Sequence, residues 1–131
     1  MKTNNKKATT KKTKSAIRST IKEKAMTINV GIKKEYFKTR HICRVTFRLP
    51  KTAATDAKSV CIVGDFNNWN IHADLMKRLK NGDYAIKLDL EPGKEYQYRY
   101  FIDESKWEND WKADKYVRSL YGDSDNSVVM T

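Results

Sequence analysis

An all-β fold, an antiparallel β-sandwich, is what this 131-residue chain predicts. Three observations predict it. Apolar and polar residues alternate at period two in several short stretches, and those stretches recur at intervals of about ten residues. Turn chemistry separates them, with Asn81-Gly82 and Glu91-Pro92-Gly93 the clearest cases. No stretch carries a convincing helical spacing of apolar residues.

The N-terminal part stands outside this pattern. Residues 1–35 hold 11 Lys/Arg against 2 Asp/Glu, a net of +9, whereas residues 36–131 hold 16 against 14, a net of +2. All 14 aromatic residues also fall after position 35. The basic part therefore lacks the material of a core, and the part with a core is nearly neutral. Residues 1–35 are expected to form a basic, disordered tail and linker, and residues 36–131 the folded domain. Ile17 and Ile21, then Ile28, Val30 and Ile32, give a faint pattern that fits an amphipathic helix as well as an edge strand, so residues 27–38 are read as linker.

From Arg40 the pattern sharpens. Cys43, Val45, Phe47 and Leu49 alternate with Arg44, Thr46 and Arg48, which describes a half-buried strand closed by Pro50. Residues 51–58 are a polar, alanine-containing connection. Val60, Cys61, Ile62 and Val63 then run without interruption, too short for a helix and rich in β-branched residues, as a strand buried in a sandwich does. Asn81-Gly82 leads into Tyr84, Ile86, Leu88 and Leu90 at strict alternation. After Glu91-Pro92-Gly93, Tyr96, Tyr98, Tyr100 and Ile102 share one face and Gln97, Arg99 and Phe101 the other. Residues 103–105 make a further turn, residues 108–125 read as charged and irregular, and residues 127–130 as a last short strand.

The stretch that organises the rest is residues 59–70, SVCIVGDFNNWN. It delivers a buried strand into a turn built from Asp65, Asn67, Asn68 and Asn70, residues whose side chains satisfy local backbone and tolerate left-handed conformations. Phe66 and Trp69 sit between them. A polar turn is a poor place to hide an indole, so either the turn folds back over Trp69 or the indole is displayed for a ligand.

Size and chemistry exclude several classes. The chain is too short for an eight-stranded α/β barrel of ~250 residues, and no apolar run approaches the ~20 residues of a membrane-spanning helix. With no apolar stretch behind the N-terminal lysines to act as a signal peptide, the expected location is cytoplasmic. Cys43 and Cys61, without a CxxC spacing, are expected to be buried free thiols. Glycoside hydrolysis needs two carboxylates roughly 5 or 6.5–9.5 Å apart across a cleft, while Asp103, Glu104, Glu108 and Asp110 fall in a turn region. His41 and His72 stand alone. Catalysis, a cofactor and a bound metal are not expected.

Several motifs in order, VGDFNNWN, Met76-Lys77-Arg78, LDLEPGKEYQYRYFIDESKWEND, ADKY and DNSVV, make residues 40–131 similar to carbohydrate-binding module family 48. That family includes the early-set domains of isoamylase and glycogen-branching enzyme and the glycogen-binding domain of the AMP-activated protein kinase β subunit. The chain most resembles short bacterial proteins in which this domain stands alone behind a basic N-terminus. The resemblance implies an immunoglobulin-like sandwich that binds α-1,4-glucan without cleaving it. In the kinase branch two tryptophans and a lysine hold the sugar, helped by a loop near the C-terminus. The tryptophans fall on Trp69 and Trp107, and Arg99 takes the place of the lysine. One extra residue separates Arg99 from Trp107. Tyr121 replaces a leucine in the C-terminal loop, and Asp123 and Asp125 stand where that branch has threonine and asparagine.

These residue types suit a sugar. The faces of glucose carry C–H groups that pack on aromatic rings, and the rim hydroxyls take directed partners. The candidate site is Trp69, Trp107, Arg99, Asn68, Tyr121 and Asn126. Arg99 lies opposite the tyrosines and should face solvent. Asn68 fits a turn former as well as a sugar ligand, and Asn126 fits either a hydroxyl partner or a pin for the last strand. The expected partners are an α-glucan polysaccharide such as glycogen or amylose. A glycogen-metabolising enzyme, docked on the same domain, is the alternative. Lysines without interleaved aromatics add weak, non-specific polyanion binding by the tail.

Overall fold

The structure is a computed structural model that describes residues 31–120, 122 and 124–131. Nine strands follow one another: β1 (Gly31–Phe37), β2 (Ile42–Leu49), β3 (Val60–Gly64), β4 (Lys77–Arg78), β5 (Tyr84–Leu90), β6 (Glu95–Ile102), β7 (Lys106–Glu108), β8 (Lys115–Arg118) and β9 (Asp125–Met130). Among the described residues the helical content is three short 3₁₀ turns, Lys38–Arg40, Lys51–Ala53 and Asp65–Asn67. Two antiparallel sheets result, in the orders β1-β2-β5-β4 and β3-β6-β9-β8, with β7 also on β6. This is the expected immunoglobulin-like sandwich.

Alternation explains which face of each strand is inside. Cys43, Val45, Phe47 and Leu49 of β2 are fully buried, and β5 pairs Leu90, Leu88, Ile86 and Tyr84 directly with them. The facing sheet contributes Val60, Ile62, Tyr98, Tyr100, Ile102 and Val129. Rings interlock at the centre, where Phe47 meets Tyr98 edge-on at 5.0 Å and Phe66 lies 5.8 Å from Phe47. Losing such a ring to alanine costs about 3–5 kcal/mol. The connection at residues 51–58 is not merely polar, because Ala53 and Ala54 are buried against this core.

The two expected turns do different work. Asn81-Gly82 closes a tight β4–β5 hairpin in which the Leu79 N–H donates to the Asp83 carbonyl at 2.7 Å and Gly82 takes φ 97°. Glu91-Pro92-Gly93 instead carries the chain from the first sheet to the second, since β5 and β6 lie in different sheets.

Among the described residues the sandwich already includes residues 31–35, on the linker side of the expected boundary at residue 36, and these pair with β2 from Arg48 to Arg44. The strand was hidden because its inward side reads Ile32, Lys34, Tyr36, and a lysine in that position breaks the apolar alternation. The Lys34 ammonium is held 2.8 Å from the Asp114 carboxylate, and charge on an edge strand also discourages pairing with another chain. The expected disordered tail lies, as far as residue 30, outside the described residues. β8 falls within the stretch read as irregular, and β7 bridges the expected turn and that stretch; their outer positions are exposed, so no alternation marks them.

The second sheet is anchored from inside by Asp110, which is 2% exposed. Its Oδ2 accepts hydrogen bonds from the Tyr98 and Tyr100 hydroxyls at 2.7 and 3.2 Å, and its Oδ1 accepts from the Lys112 N–H at 2.9 Å. Its own N–H donates to Ser127 Oγ at 2.8 Å, and its carbonyl accepts from the Tyr116 hydroxyl. Burial pushes this carboxyl above the ordinary range even against those donated bonds. Burial, with the Asp110 charge beside them, likewise pushes both tyrosine hydroxyls far up. Cys43 faces the core, Cys61 the outer side of β3, and both are free thiols.

Candidate functional site

Strand β6 carries the core on one side and the candidate residues on the other. Its outward residues are Gln97, Arg99 and Phe101, and each has a neighbour set by register. β3 lies along one edge of β6, pairing residues 98–102. The opposite edge is shared: β9 takes residues 95–98 and β7 takes residues 100–102. Arg99 stands at the junction of those two partners.

Trp69 reaches this face from the turn after β3. Gly64 ends that strand where an added Cβ would lie 2.4 Å from the Gln97 carbonyl oxygen, so only glycine permits the approach. Asn67 builds the turn, accepting from the Gly64 N–H at 3.0 Å and donating to the Ile62 carbonyl and the Asp74 carboxylate at 3.0 and 2.8 Å. Asn68 and Trp69 then take left-handed conformations, φ 56° and 57°. For Trp69 this is a strained choice. It is fixed by two bonds, from its N–H to the Gly64 carbonyl at 2.9 Å and from its indole N–H to Asp65 Oδ1 at 2.9 Å. The other Asp65 oxygen accepts from the Gln97 N–H at 2.7 Å, which ties the turn to β6. The indole edge is thus spoken for, and 36% of the residue remains open.

Trp107 reaches the same face from β7. Ile102 and Lys106 pair across a turn in which Asp103 and Glu104 have φ 51° and 53°, as a type I′ turn requires, and the Ser105 N–H donates to the Ile102 carbonyl at 3.0 Å. Trp107 therefore sits directly opposite Phe101 and stacks on it at 4.3 Å, with 41% of its surface open. Phe101 rests in turn on Cys61 and Val63, beside Ile71. Trp111, four positions on, is also exposed, and its indole N–H donates to Glu108 at 3.0 Å.

Between the two indoles runs a polar relay. Arg99 Nε donates to Asn126 Oδ1, and Asn126 Nδ2 donates to Gln97 Oε1 at 2.9 Å. Asn126 is 6% exposed and so is fixed as the link of the relay. Arg99 is half-buried rather than fully solvated, and its partner across the sheet is this amide. Gln97 lies by Trp69 and Phe101 by Trp107, four residues apart, or about 13 Å at the rise of a strand.

An open groove of about 450 Å³ adjoins Trp69, lined by Asp65, Gln97, Ser119, Leu120 and Asn126 as well as the indole. The structure thus brings Trp69, Arg99, Asn126 and Trp107 onto one face. Asn68 is exposed in the turn and does not line the groove, and Tyr121 lies outside the described residues. Gln97, Asp65 and Leu120 were not among the sequence candidates. Gln97 was findable, sharing the outward period of Arg99 and Phe101; Asp65 and Leu120 carry no such mark.

Of the acidic residues near the second tryptophan, Asp103, Glu108 and Asp110 are engaged in structural bonds. Asp103 Oδ1 accepts from the Lys58 and Ser59 N–H groups at 2.7 and 2.9 Å, bonds that hold its carboxyl below the ordinary range. Asp110 is the buried anchor and Glu108 accepts the Trp111 indole.

A search of curated proteins finds no match to the chain. Residues 52–130, which contain β3 to β9, both indoles and the relay, match the family of the glycogen recognition site of AMP-activated protein kinase. A match over more than half of the chain, with this sandwich beneath it, makes the protein a member of that glycogen-recognition family of carbohydrate-binding modules.

Proposed function

We propose that the outward face of β6 binds an α-1,4-glucan chain without cleaving it, with Trp69 and Trp107 as stacking surfaces and Arg99, Asn126 and Gln97 as partners for hydroxyls between them. The observation that carries this reading is the pair of open indoles on one face, each held by its edge or back so that a ring surface stays available. Apolar ring faces take the C–H faces of glucose, while a cation and two amides meet its rim. A longer chain would also meet Asn68, exposed in the Trp69 turn, and we assign Tyr121 as a further contact. An open surface covers less of its ligand than a pocket, so the affinity is modest.

Electrophoresis through gels containing glycogen tests the proposal. Retardation relative to a gel without polysaccharide is expected, and equal mobility in both gels overturns it.

A second reading gives the same face to a glycogen-metabolising enzyme. It is favoured by Leu120, 91% exposed at the edge of the groove, an apolar side chain that a sugar hydroxyl does not need. The basic tail adds non-specific binding to polyanions through counterion release.

A further inference from the structure

A different end of the sandwich holds a second cleft, of about 330 Å³, where the Lys51–Ala53 turn meets the β4–β5 hairpin. It shares no lining residue with the Trp69 groove. Three cations line it, Lys51, Arg78 and Lys80, against one carboxylate, Asp56, a local net of +2. Of the other described Lys and Arg side chains, Lys34, Arg44, Arg48, Lys94, Lys115 and Arg118 have a carboxylate partner, and the rest have none but do not share a cleft as these three do. Among the described residues, the three cations of the cleft make no ion pair.

The neighbouring carboxylate is not available to them. Asp83 is buried and already accepts from Arg48 Nε at 3.0 Å, from the Lys51 N–H at 2.9 Å and from Asn81 Nδ2 at 3.1 Å. Those bonds from Lys51, Arg48 and Asn81 outweigh burial and hold its carboxyl below the ordinary range, so it stays charged and engaged. The same bonds fix the backbone of Lys51. Its aliphatic stem lies over Gly82, where an added Cβ would come within 3.1 and 3.2 Å of Lys51 Cδ and Cβ. The base of this lysine is therefore set before any ligand arrives. Thr52 and Thr55 add hydroxyls, and that of Thr55 makes only long contacts of 3.5 and 3.4 Å with the Lys51 and Thr52 carbonyls.

We propose that this cleft is an anion site for a phosphate group, free or as a monoester. Three like charges around one cleft, opposed by a single carboxylate, repel one another, and a compact dianion supplies the charge that the cleft lacks. Arg78 offers a planar fork that matches two phosphate oxygens, and the two lysines act as point charges beside it. The single aromatic lining residue, Tyr84, has its hydroxyl on the Ala57 carbonyl at 3.0 Å and is buried, so no ring is offered to a nucleobase. A phosphate group, rather than a nucleic acid, is the chemistry recognised. The site does not depend on the glucan reading.

The test is an NMR titration of the uniformly 15N-labelled full chain with sodium phosphate, with sodium chloride at matched ionic strength as the control for the basic tail. Saturable shifts of amides in residues 51–57 and 79–84 are expected with phosphate and not with chloride. Arg78→Gln/Lys80→Gln should weaken phosphate binding about tenfold for each charge removed while leaving glycogen retardation as in the parent. Asp56→Asn should tighten binding, because it removes the one opposing charge and asparagine tolerates the left-handed φ of 61° at that position. No saturation, shifts confined to residues 1–30, or the same affinity in the double variant would overturn the site. Glucose 1-phosphate and phosphoserine distinguish the sources. Equal affinity for both and for phosphate marks the phosphate group alone as the ligand, whereas a tighter ester identifies a phosphosugar or a phosphorylated protein.

Discussion

Trp69→Ala and Trp107→Ala, made singly and together, separate a glucan surface from a purely structural pair of indoles. The open fractions are 36% and 41%, which for an aromatic side chain of up to roughly 250 Å² amounts to about 90–100 Å² each. Complete cover by sugar would then be worth about 2.5 kcal/mol at ~25 cal/mol per Å². A ring lying on one indole face covers only part of that area, so each substitution should weaken binding by about 1–2 kcal/mol, or roughly 5- to 30-fold. The covered part of each indole, Trp107 on Phe101 and Trp69 on its turn, adds a folding cost. A wholly buried tryptophan costs about 3–5 kcal/mol on truncation, so about 2–3 kcal/mol applies here. Against a typical stability of about 5–15 kcal/mol this leaves most molecules of each single variant folded, while the double variant, at a cost of about 4–6 kcal/mol, is compared only where its urea titration shows a folded baseline. Glycogen affinity electrophoresis below the unfolding midpoint, with urea titrations on the same samples, reads both quantities. Folded single and double variants that bind glycogen as tightly as the parent would refute the reasoning.

Asp110→Asn places an amide N–H₂ where either the two tyrosine hydroxyls or the Lys112 N–H already donates, so a urea titration should show a loss of about 1–3 kcal/mol. Because burial raises the folded-state pKa of Asp110, its contribution to stability is fully present below the unfolded value and is lost as pH rises through the folded one. The stability advantage of the parent over Asp110→Asn should therefore shrink as pH rises out of the acid range, and an advantage that grows with pH would contradict the assignment. Removing residues 1–30 should leave the urea midpoint unchanged and abolish most retention on heparin. Removing residues 1–35 also strips most of β1 with the Lys34–Asp114 pair, and should lower stability by about 1–3 kcal/mol.

Where a strand buries one face and wets the other, the chain announced it. β2, β5 and β6 read directly as alternation, and β3 as an unbroken run because Cys61 and Val63 face a small second cluster with Phe101 while Val60 and Ile62 face the core. β7 and β8 have no such contrast, since they are short and exposed and owe their place to pairing with β6 and β9. β1 fails for another reason: its inward lysine is neutralised by Asp114, eighty residues away. The site divides the same way. Period two put Arg99 and Phe101 on one outward face, but that Asn126 bridges Arg99 to Gln97 follows from the register of β9. The indole bond of Trp69 to Asp65 follows from two successive left-handed residues that no local pattern reports.

The strand that bears the proposed site is also anchored from inside the second sheet by Asp110, and this has consequences for binding. Tyr98 and Tyr100 are fixed on the inside by one buried carboxylate, so the outward residues alternating with them, Gln97, Arg99 and Phe101, inherit a backbone that cannot easily shift. Trp69 is tied to that backbone through Asp65, and Trp107 through its ladder with Phe101. The spacing and order of ring, amide, amide, cation and ring are thereby set before a ligand arrives. A surface with few contacts gains most from such preorganisation, because little of its modest contact energy is then lost in ordering side chains. Loosening Asp110 should consequently weaken glucan binding without touching a single residue of the proposed glucan face.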